Sequence, residues 1–504
     1  MPLSALLLGA GHAFSFAPWN LWWLQLATLA ALFRLAQIVD TAPRAALLGG
    51  MFGLGWFGVG VSWVYISMHN YGGMHALLAA AATASFCAFL ALFSGLALAA
   101  AARWRTNPAL HLLLVLPACW TLGEWLRGVV LTGFPWIASG YAHTDGPLAG
   151  FAPLAGVHGV TLIAALVAGA AARASHWPTL SPRGRGGAVA ILVGVAALGT
   201  SLRFVEWTTP HAAPLAVRLV QGNIPQSLKF GPDGLRDGHR THMALLTAPG
   251  RADLAVLPES VFPLPINALP DWVLQDLAAH VASMNTTLIF GAFLEPAPGE
   301  YFNSAIVARP DRSTAEYRKR HLVPFGEYIP WGFRWFVDLM QIPIGDQQRG
   351  AAFQPPVAVA DQRIAINICY EDLFGAEIIA AWHDSSREPT ILLNLSNLAW
   401  FDDSLALDQH LQISRMRALE TGRPMLRATN TGATAIIDAR GRVTAALPHV
   451  TRGTLDGLVQ GTAGRTPYVR FGDLPVLALL AAIVIAAAFW QGRARAAAPK
   501  SPAP

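Results

Sequence analysis

Arg363-Ile364-Ala365-Ile366-Asn367-Ile368-Cys369 runs directly into Tyr370-Glu371-Asp372. The first seven residues read as a strand, and the strand closes on a thiol with carboxylates beside it. Loop groups at strand ends can converge on a rigid base, so a lone thiol placed there reads as a nucleophile. Two charged residues occupy matching settings upstream. Glu259 ends Ala252-Asp253-Leu254-Ala255-Val256-Leu257-Pro258, and Lys319 lies in Tyr317-Arg318-Lys319-Arg320-His321-Leu322-Val323-Pro324. Glu, Lys and Cys in that chain order suggest acyl-transfer chemistry.

Working outward, strand-like runs recur at 215–221, 254–257, 288–293, 304–308, 391–395 and 434–438. Helical stretches fall between some of them at 272–284, 375–382 and 408–420, the first and last with amphipathic spacing. Alternating strands and helices predict an α/β layered domain over 206–470. The interval is long enough to bury a core of its own.

The rest of the chain is different. Of 504 residues, 54% are hydrophobic and only 13% charged, with a mean hydropathy of +0.41. Long apolar runs fill 3–203 and 474–490. Such a chain is an integral membrane protein rather than a soluble enzyme. The net charge of +5 does not call for nucleic acid, because several of the basic residues sit in short loops between apolar runs.

Those basic residues also set an expected topology. Arg34 and Arg44, Arg103 and Arg105, Arg173, Arg183 and Arg185, and Arg493, Arg495 and Lys500 form four clusters, with two spans between adjacent clusters. Spans are expected near 45–66, 74–102, 108–130, 150–172, 187–203 and 474–490, with two short ones in 3–38. The loops at 67–73 and 131–149 carry no Lys or Arg. With the clusters cytoplasmic, the domain between the last two spans is exported. The division is therefore a membrane domain over 1–205 with about seven helices, the exported domain, a C-terminal helix at 471–492, and a cytoplasmic tail at 493–504. Met1-Pro2-Leu3-Ser4 has no basic leader region, and no cleaved signal peptide is expected.

Of the three cysteines, Cys87 and Cys119 fall in expected spans, which leaves Cys369 without a partner in its own domain. A thiol attacks a carbonyl as the thiolate and needs a proton acceptor and a cation nearby. Glu259 can supply the first and Lys319 the second. Lys319 and the backbone N–H of Tyr370 can also stabilise an oxyanion. Glu327 and Glu371 can hold the lysine or relay the proton. His239 and His242 lack the neighbouring Glu of a zinc-protease helix, so no metal is expected, and no cofactor fingerprint is present. Glu124 and Arg127, one turn apart in a span, are expected to pair.

Three segments, Leu257-Pro258-Glu259-Ser260, Lys319 to Glu327, and Ile368-Cys369-Tyr370-Glu371, resemble the nitrilase superfamily. Adding Val220 to Gln226, Gly123-Glu124-Trp125-Leu126-Arg127-Gly128, Thr132-Gly133-Phe134-Pro135-Trp136 and Arg415 to Glu420, nearly the whole chain resembles the apolipoprotein N-acyltransferase family. The resemblance implies an α-β-β-α sandwich for the exported domain. It implies Glu259 as general base, Lys319 as oxyanion stabiliser and Cys369 as acylated nucleophile, with Glu327, Tyr370 and Glu371 supporting them.

The implied reaction takes an acyl chain from the sn-1 position of a phospholipid, typically phosphatidylethanolamine, through a Cys thioester. The chain passes to the α-amine of the diacylglyceryl cysteine of an apolipoprotein, at the bacterial inner membrane on its periplasmic side. The sequence leaves the oligomeric state open, with a monomer favoured. Phe230 stands where a Trp is usual, and Leu398 where an Asp is usual; Phe230 and Trp400 are read as substrate-binding. The aromatic run 330–340 reads as an arm dipping into the lipid interface. Two rival readings are a membrane-tethered amidase of nitrilase type and a ligand-binding membrane protein with no catalysis.

Overall fold

The computed structural model describes residues 1–105, 107–176, 178, 180–229, 233–332, 334 and 346–497. The chain forms two compact units. One comprises Met1–Ser62, Ala80–Val205 and the C-terminal segment from Arg470; the other comprises Trp63–Ala79 and Glu206–Val469. The sequence placed 63–79 at the ends of two spans and in the loop between them.

The first unit is helical. Among the described residues, five helices are long and apolar enough to cross a bilayer: Ala76–Arg103, Pro108–Arg127, Pro147–Ala174, Pro182–Leu202 and Leu474–Gln491. Ala42–Gly60 joins them as a sixth if it is counted with Val64–Tyr71, from which it is bent by 60°. The two remaining expected spans correspond to the shorter helices Pro2–Ala13 and Trp22–Ile38. Twelve residues rise only about 18 Å at about 1.5 Å each, short of a hydrocarbon core of about 30 Å.

Lipid gives helices no hydrophobic reason to associate, so close backbone packing has to supply it. Glycine permits that here. A β-carbon at Gly9 would lie 1.9 Å from the Phe52 carbonyl oxygen, and one at Gly55 would lie 2.0 Å from that of Leu6. The Glu124 and Arg127 pair forms as expected, at 3.7 Å. Both residues point inward. Glu124 accepts from the Ser139 N–H at 2.7 Å, and Arg127 donates to the Trp136 carbonyl at 3.0 Å while its guanidinium lies over the Phe57 ring.

The second unit contains two six-stranded sheets and a two-stranded pair, β1 (Thr209–Pro210) with β14 (Thr462–Ala463). The first large sheet comprises β2 (Leu215–Gln221), β3 (Leu254–Val256), β4 (Thr287–Leu294), β5 (Phe302–Ala308), β6 (Thr314–Arg318) and β13 (Gly453–Val459), in the order β13-β2-β3-β4-β5-β6. The second comprises β7 (Val357–Val359), β8 (Gln362–Ile368), β9 (Ile391–Ser396), β10 (Met425–Thr429), β11 (Ala435–Ile437) and β12 (Val443–Ala446), in the order β12-β11-β10-β9-β8-β7. In each sheet three parallel strands, β2-β3-β4 or β8-β9-β10, are flanked by antiparallel ones.

Side-chain alternation builds the layers. Leu215, Val217, Leu219, Leu254 and Val256 on one sheet share a core with Ile364, Ile366, Ile368, Leu393 and Leu395 on the other. The opposite face of the first sheet packs Leu257, Leu288 and Phe290 against Val273, Leu277 and Val281 of the helix Asp271–Met284. The opposite face of the second packs Ala365, Leu392 and Met425 against Ile378, Trp382 and Ala418. The result is the α-β-β-α sandwich that the resemblance implied.

Two expectations need comment. The stretch 408–420 lies in the helix Leu405–Thr421, which is buried on nearly all sides rather than amphipathic. Its polar residues are accommodated by pairing inside, as Arg417 with Glu420 at 2.8 Å. Of the aromatic run 330–340, Trp331 is 99% exposed, and residues 333 and 335–340 lie outside the described residues.

Candidate active site

Cys369 follows β8 directly, in a left-handed backbone conformation with φ at 51°. A side chain rarely adopts this conformation, and such outliers collect at functional sites. Strand alternation alone would put Cys369 on the face of Ala365 and Asn367. The left-handed turn breaks the pleat, and the half-buried Cys369 packs against the core between the sheets.

Glu259 follows β3 in a loop that lies directly on β4. The Gly291 N–H donates to the Pro258 carbonyl at 3.1 Å, and the Val261 N–H donates to the Gly291 carbonyl at 3.0 Å. A β-carbon at Gly291 would lie 2.6 Å from the Glu259 Cα and 2.5 Å from the Ser260 nitrogen. Only a glycine lets the loop approach so closely.

Lys319 follows β6, and its own N–H donates to the Asn303 carbonyl on β5 at 2.8 Å. Its ammonium is buried. Nζ lies 2.7 Å from Glu327 Oε1 and 3.3 Å from Glu259 Oε1. Asn303 Nδ2 donates to both carboxylates at 2.8 Å. The second oxygen of Glu259 accepts from the Asn397 N–H at 2.8 Å, and that of Glu327 from the Val323 N–H at 2.8 Å.

Burial alone would lower the lysine's pKa, but Glu327 and Glu259 override it and hold Lys319 above its ordinary range. It stays an ammonium. Burial pushes the Cys369 thiol up, the Glu259 carboxylate adds to the rise, and Lys319 opposes it. Glu259, Lys319 and Cys369 therefore act on one another electrostatically, as one group. A thiol so placed is protonated at rest and needs a base when it reacts.

Glu327 holds the lysine, one of the two roles expected of it. The hydrogen bonds of Glu371 go to the backbone and a tyrosine rather than to the lysine. Its oxygens accept from the backbone N–H groups of Ile368 at 2.6 Å, Arg320 at 2.6 Å and His321 at 3.1 Å, and from the Tyr317 hydroxyl at 2.9 Å. It joins the end of β8 to the segment after β6, which fixes Cys369 and Lys319 relative to each other. Burial pushes its pKa up to about 7, against the pull of those N–H groups.

The Tyr370 ring packs near His321 and Phe374. Trp400 is partly exposed, edge-on to Tyr71. Phe230 lies outside the described residues. Leu398 is buried. His239 pairs with Asp276, and His242 Nδ1 with the Gly238 carbonyl.

Sequence reading did not single out Asn303, Lys229, His410 or Arg427. Lys229 is buried, and burial lowers its pKa to about 8 while Glu259 draws it upward. The available signal for Asn303 was a lone amide in a mainly apolar strand, Phe302–Ala308.

Comparison with known proteins agrees with both units. Residues 8–170 match the family described as apolipoprotein N-acyltransferase N-terminal domain, and residues 195–468 match the carbon-nitrogen hydrolase family. Proteins named apolipoprotein N-acyltransferase align along almost the entire length. The one from Ralstonia nicotianae is 48% identical, covering 98% of this chain and 94% of its own. The one from Bordetella bronchiseptica is 46% identical, with 98% and 96% covered. That from Chromobacterium violaceum is 42% identical, with 98% and 94% covered.

Proposed function

The chain belongs to the apolipoprotein N-acyltransferase family, and from that premise we propose that Cys369, Glu259 and Lys319 carry out the acyl transfer through a thioester. The observation that carries the reading is the buried Lys319 ammonium, fixed between Glu259 and Glu327 beside a thiol on a left-handed strand end. Glu259 takes the thiol proton as sulfur attacks the sn-1 ester carbonyl of a phospholipid. Lys319 and the Tyr370 N–H stabilise the oxyanion, the C–O bond breaks, and the lysophospholipid leaves with the proton from Glu259. The α-amine of a diacylglyceryl cysteine then attacks the thioester. A C–N bond forms, the C–S bond breaks, and the amine proton returns to sulfur by way of Glu259. A thioester suits this sequence because it stays reactive toward amines while the first lipid departs.

Peptide mass spectrometry tests this reading. Purified protein incubated with phosphatidylethanolamine vesicles is expected to carry a hydroxylamine-labile acyl mass on the peptide containing Cys369. A diacylglyceryl-cysteine peptide with a free amine should discharge it, and the N-acetylated peptide should not. Folded protein that never acquires the adduct would sink the thioester route.

The same reading puts the domain on the periplasmic side of the bacterial inner membrane, where both lipid substrates are within reach. The alternation of basic clusters along the chain supports this. A cysteine introduced at the exposed Ser313 is expected to react in spheroplasts with a maleimide that cannot cross membranes. One at the exposed Arg183 should react only after lysis; the opposite pattern would reverse the orientation.

A further inference from the structure

The carbonyl oxygen of Cys369 is gripped from two sides. Asn394 Nδ2, within β9, donates to it at 3.0 Å, and His410 Nε2 lies 3.2 Å away. Both side chains are buried and themselves fixed. Asn394 Nδ2 also donates to Asn367 Oδ1 at 2.7 Å, and its own oxygen accepts from the Ser396 hydroxyl at 2.5 Å. A flipped amide would set oxygen against oxygen at Cys369, so Nδ2 must face it.

The tautomer of His410 follows from its neighbours. Arg427 Nη2 lies 3.2 Å from His410 Nδ1. An arginine only donates, so Nδ1 accepts and Nε2 carries the proton. That proton is shared between the Cys369 carbonyl and Asp372 Oδ1, the latter at 2.7 Å. Asp372 is anchored in turn by Arg427 at 3.2 Å and by the Ser414 hydroxyl.

A peptide unit is planar, and in the trans form its N–H points opposite to its C=O. The bond between Cys369 and Tyr370 is trans. Holding the Cys369 oxygen therefore fixes the direction of the Tyr370 N–H on the other side of the same plane. We propose that Asn394 and His410, braced by Asp372 and Arg427, are positioning residues that aim the Tyr370 N–H at the oxyanion. This rests on the thioester reading above. The left-handed backbone at Cys369 gives the clamp a reason, since a strained turn left to itself would relax and swing the N–H away.

The test separates carbonyl chemistry from thiol chemistry. Alkylation of Cys369 by iodoacetamide is displacement at a saturated carbon and forms no oxyanion; acylation by phospholipid forms one. In Asn394→Leu, acylation is expected to slow by roughly tenfold or more while alkylation stays within about threefold of wild type. Equal slowing of both rates, or of neither, would overturn the proposal. If Asn394→Leu does not fold, a His410 pair decides. His410→Gln keeps an amide N–H close to the Nε2 position and should acylate at nearly the wild-type rate, whereas His410→Leu should not. Equal acylation in these two overturns the clamp. Wild-type protein that alkylates but never acylates removes the thioester reading instead, a separate failure.

Discussion

Cys369→Ala is expected to abolish acyl transfer, to below about one part in 10³ of wild type, while leaving the fold in place. The loss is total because no other group can take over. Cys87 and Cys119 are buried in helices of the membrane unit, and the carboxylates beside Cys369 are committed to the Lys319 cluster, to backbone N–H groups, or to His410, Arg427 and Ser414. The fold survives because the change removes one sulfur atom from a half-buried site and keeps the β-carbon that the left-handed turn already accommodates. Its cost should not exceed about 1 kcal/mol. Thermal unfolding of the purified variant checks the fold, and transfer of labelled palmitate from phospholipid to an acceptor peptide checks the activity. Turnover within tenfold of wild type would mean that the acyl chain never resides on this sulfur.

Lys319→Met should lose on the order of 10² to 10³ in the acylation rate. Methionine keeps the length of the stem, so the loss isolates the charge. Two effects combine. The oxyanion loses its cation, and Glu259 and Glu327, which the ammonium and Asn303 hold together, are left as two buried carboxylates at close quarters. Like charges so close share a proton, which spoils Glu259 as a base. The pH dependence gives an independent sign. Lys319 opposes the upward shift of the thiol, so its removal pushes the thiol higher, and iodoacetamide alkylation of Cys369 should move to higher pH. A rate loss under about threefold with an unmoved alkylation profile would reduce Lys319 to a structural cation.

Glu259, Lys319 and Cys369 were legible as candidates because each stands at the end of a recognisable element, with distinctive wording around it. Seven strands of the sandwich were visible for a related reason, being apolar runs long enough to stand out. Those that were not visible hid in different ways. β7 is only three residues long, and β12 and β13, at the sheet edges, mix small, polar and apolar residues and are little buried, so neither stands out as an apolar run. β10 contains Arg427, a charge that looks misplaced in a central strand until its partners Asp372 and Ser414 come from other elements. His410 hid in the same way. A buried polar residue announces itself only through its partners, and those are brought together by the fold.

Glu371 shows the opposite limit. Its position next to the thiol invites a role in proton transfer, and the wording of the motif reinforces that. Only the direction of its two oxygens, toward three backbone N–H groups and a tyrosine hydroxyl, shows that it ties the end of β8 to the segment after β6. Adjacency in sequence says nothing about which way a carboxylate points.

Gly291 extends the same lesson to a residue with no side chain at all. The loop that presents Glu259 lies on its bare backbone, so the tolerance of this domain to change is set partly by an atom that is missing. An inventory of reactive groups would pass over the position. Yet any larger residue there would displace the Glu259 carboxylate before touching a substrate, which makes an empty space on β4 as much a determinant of this site as the side chain it accommodates.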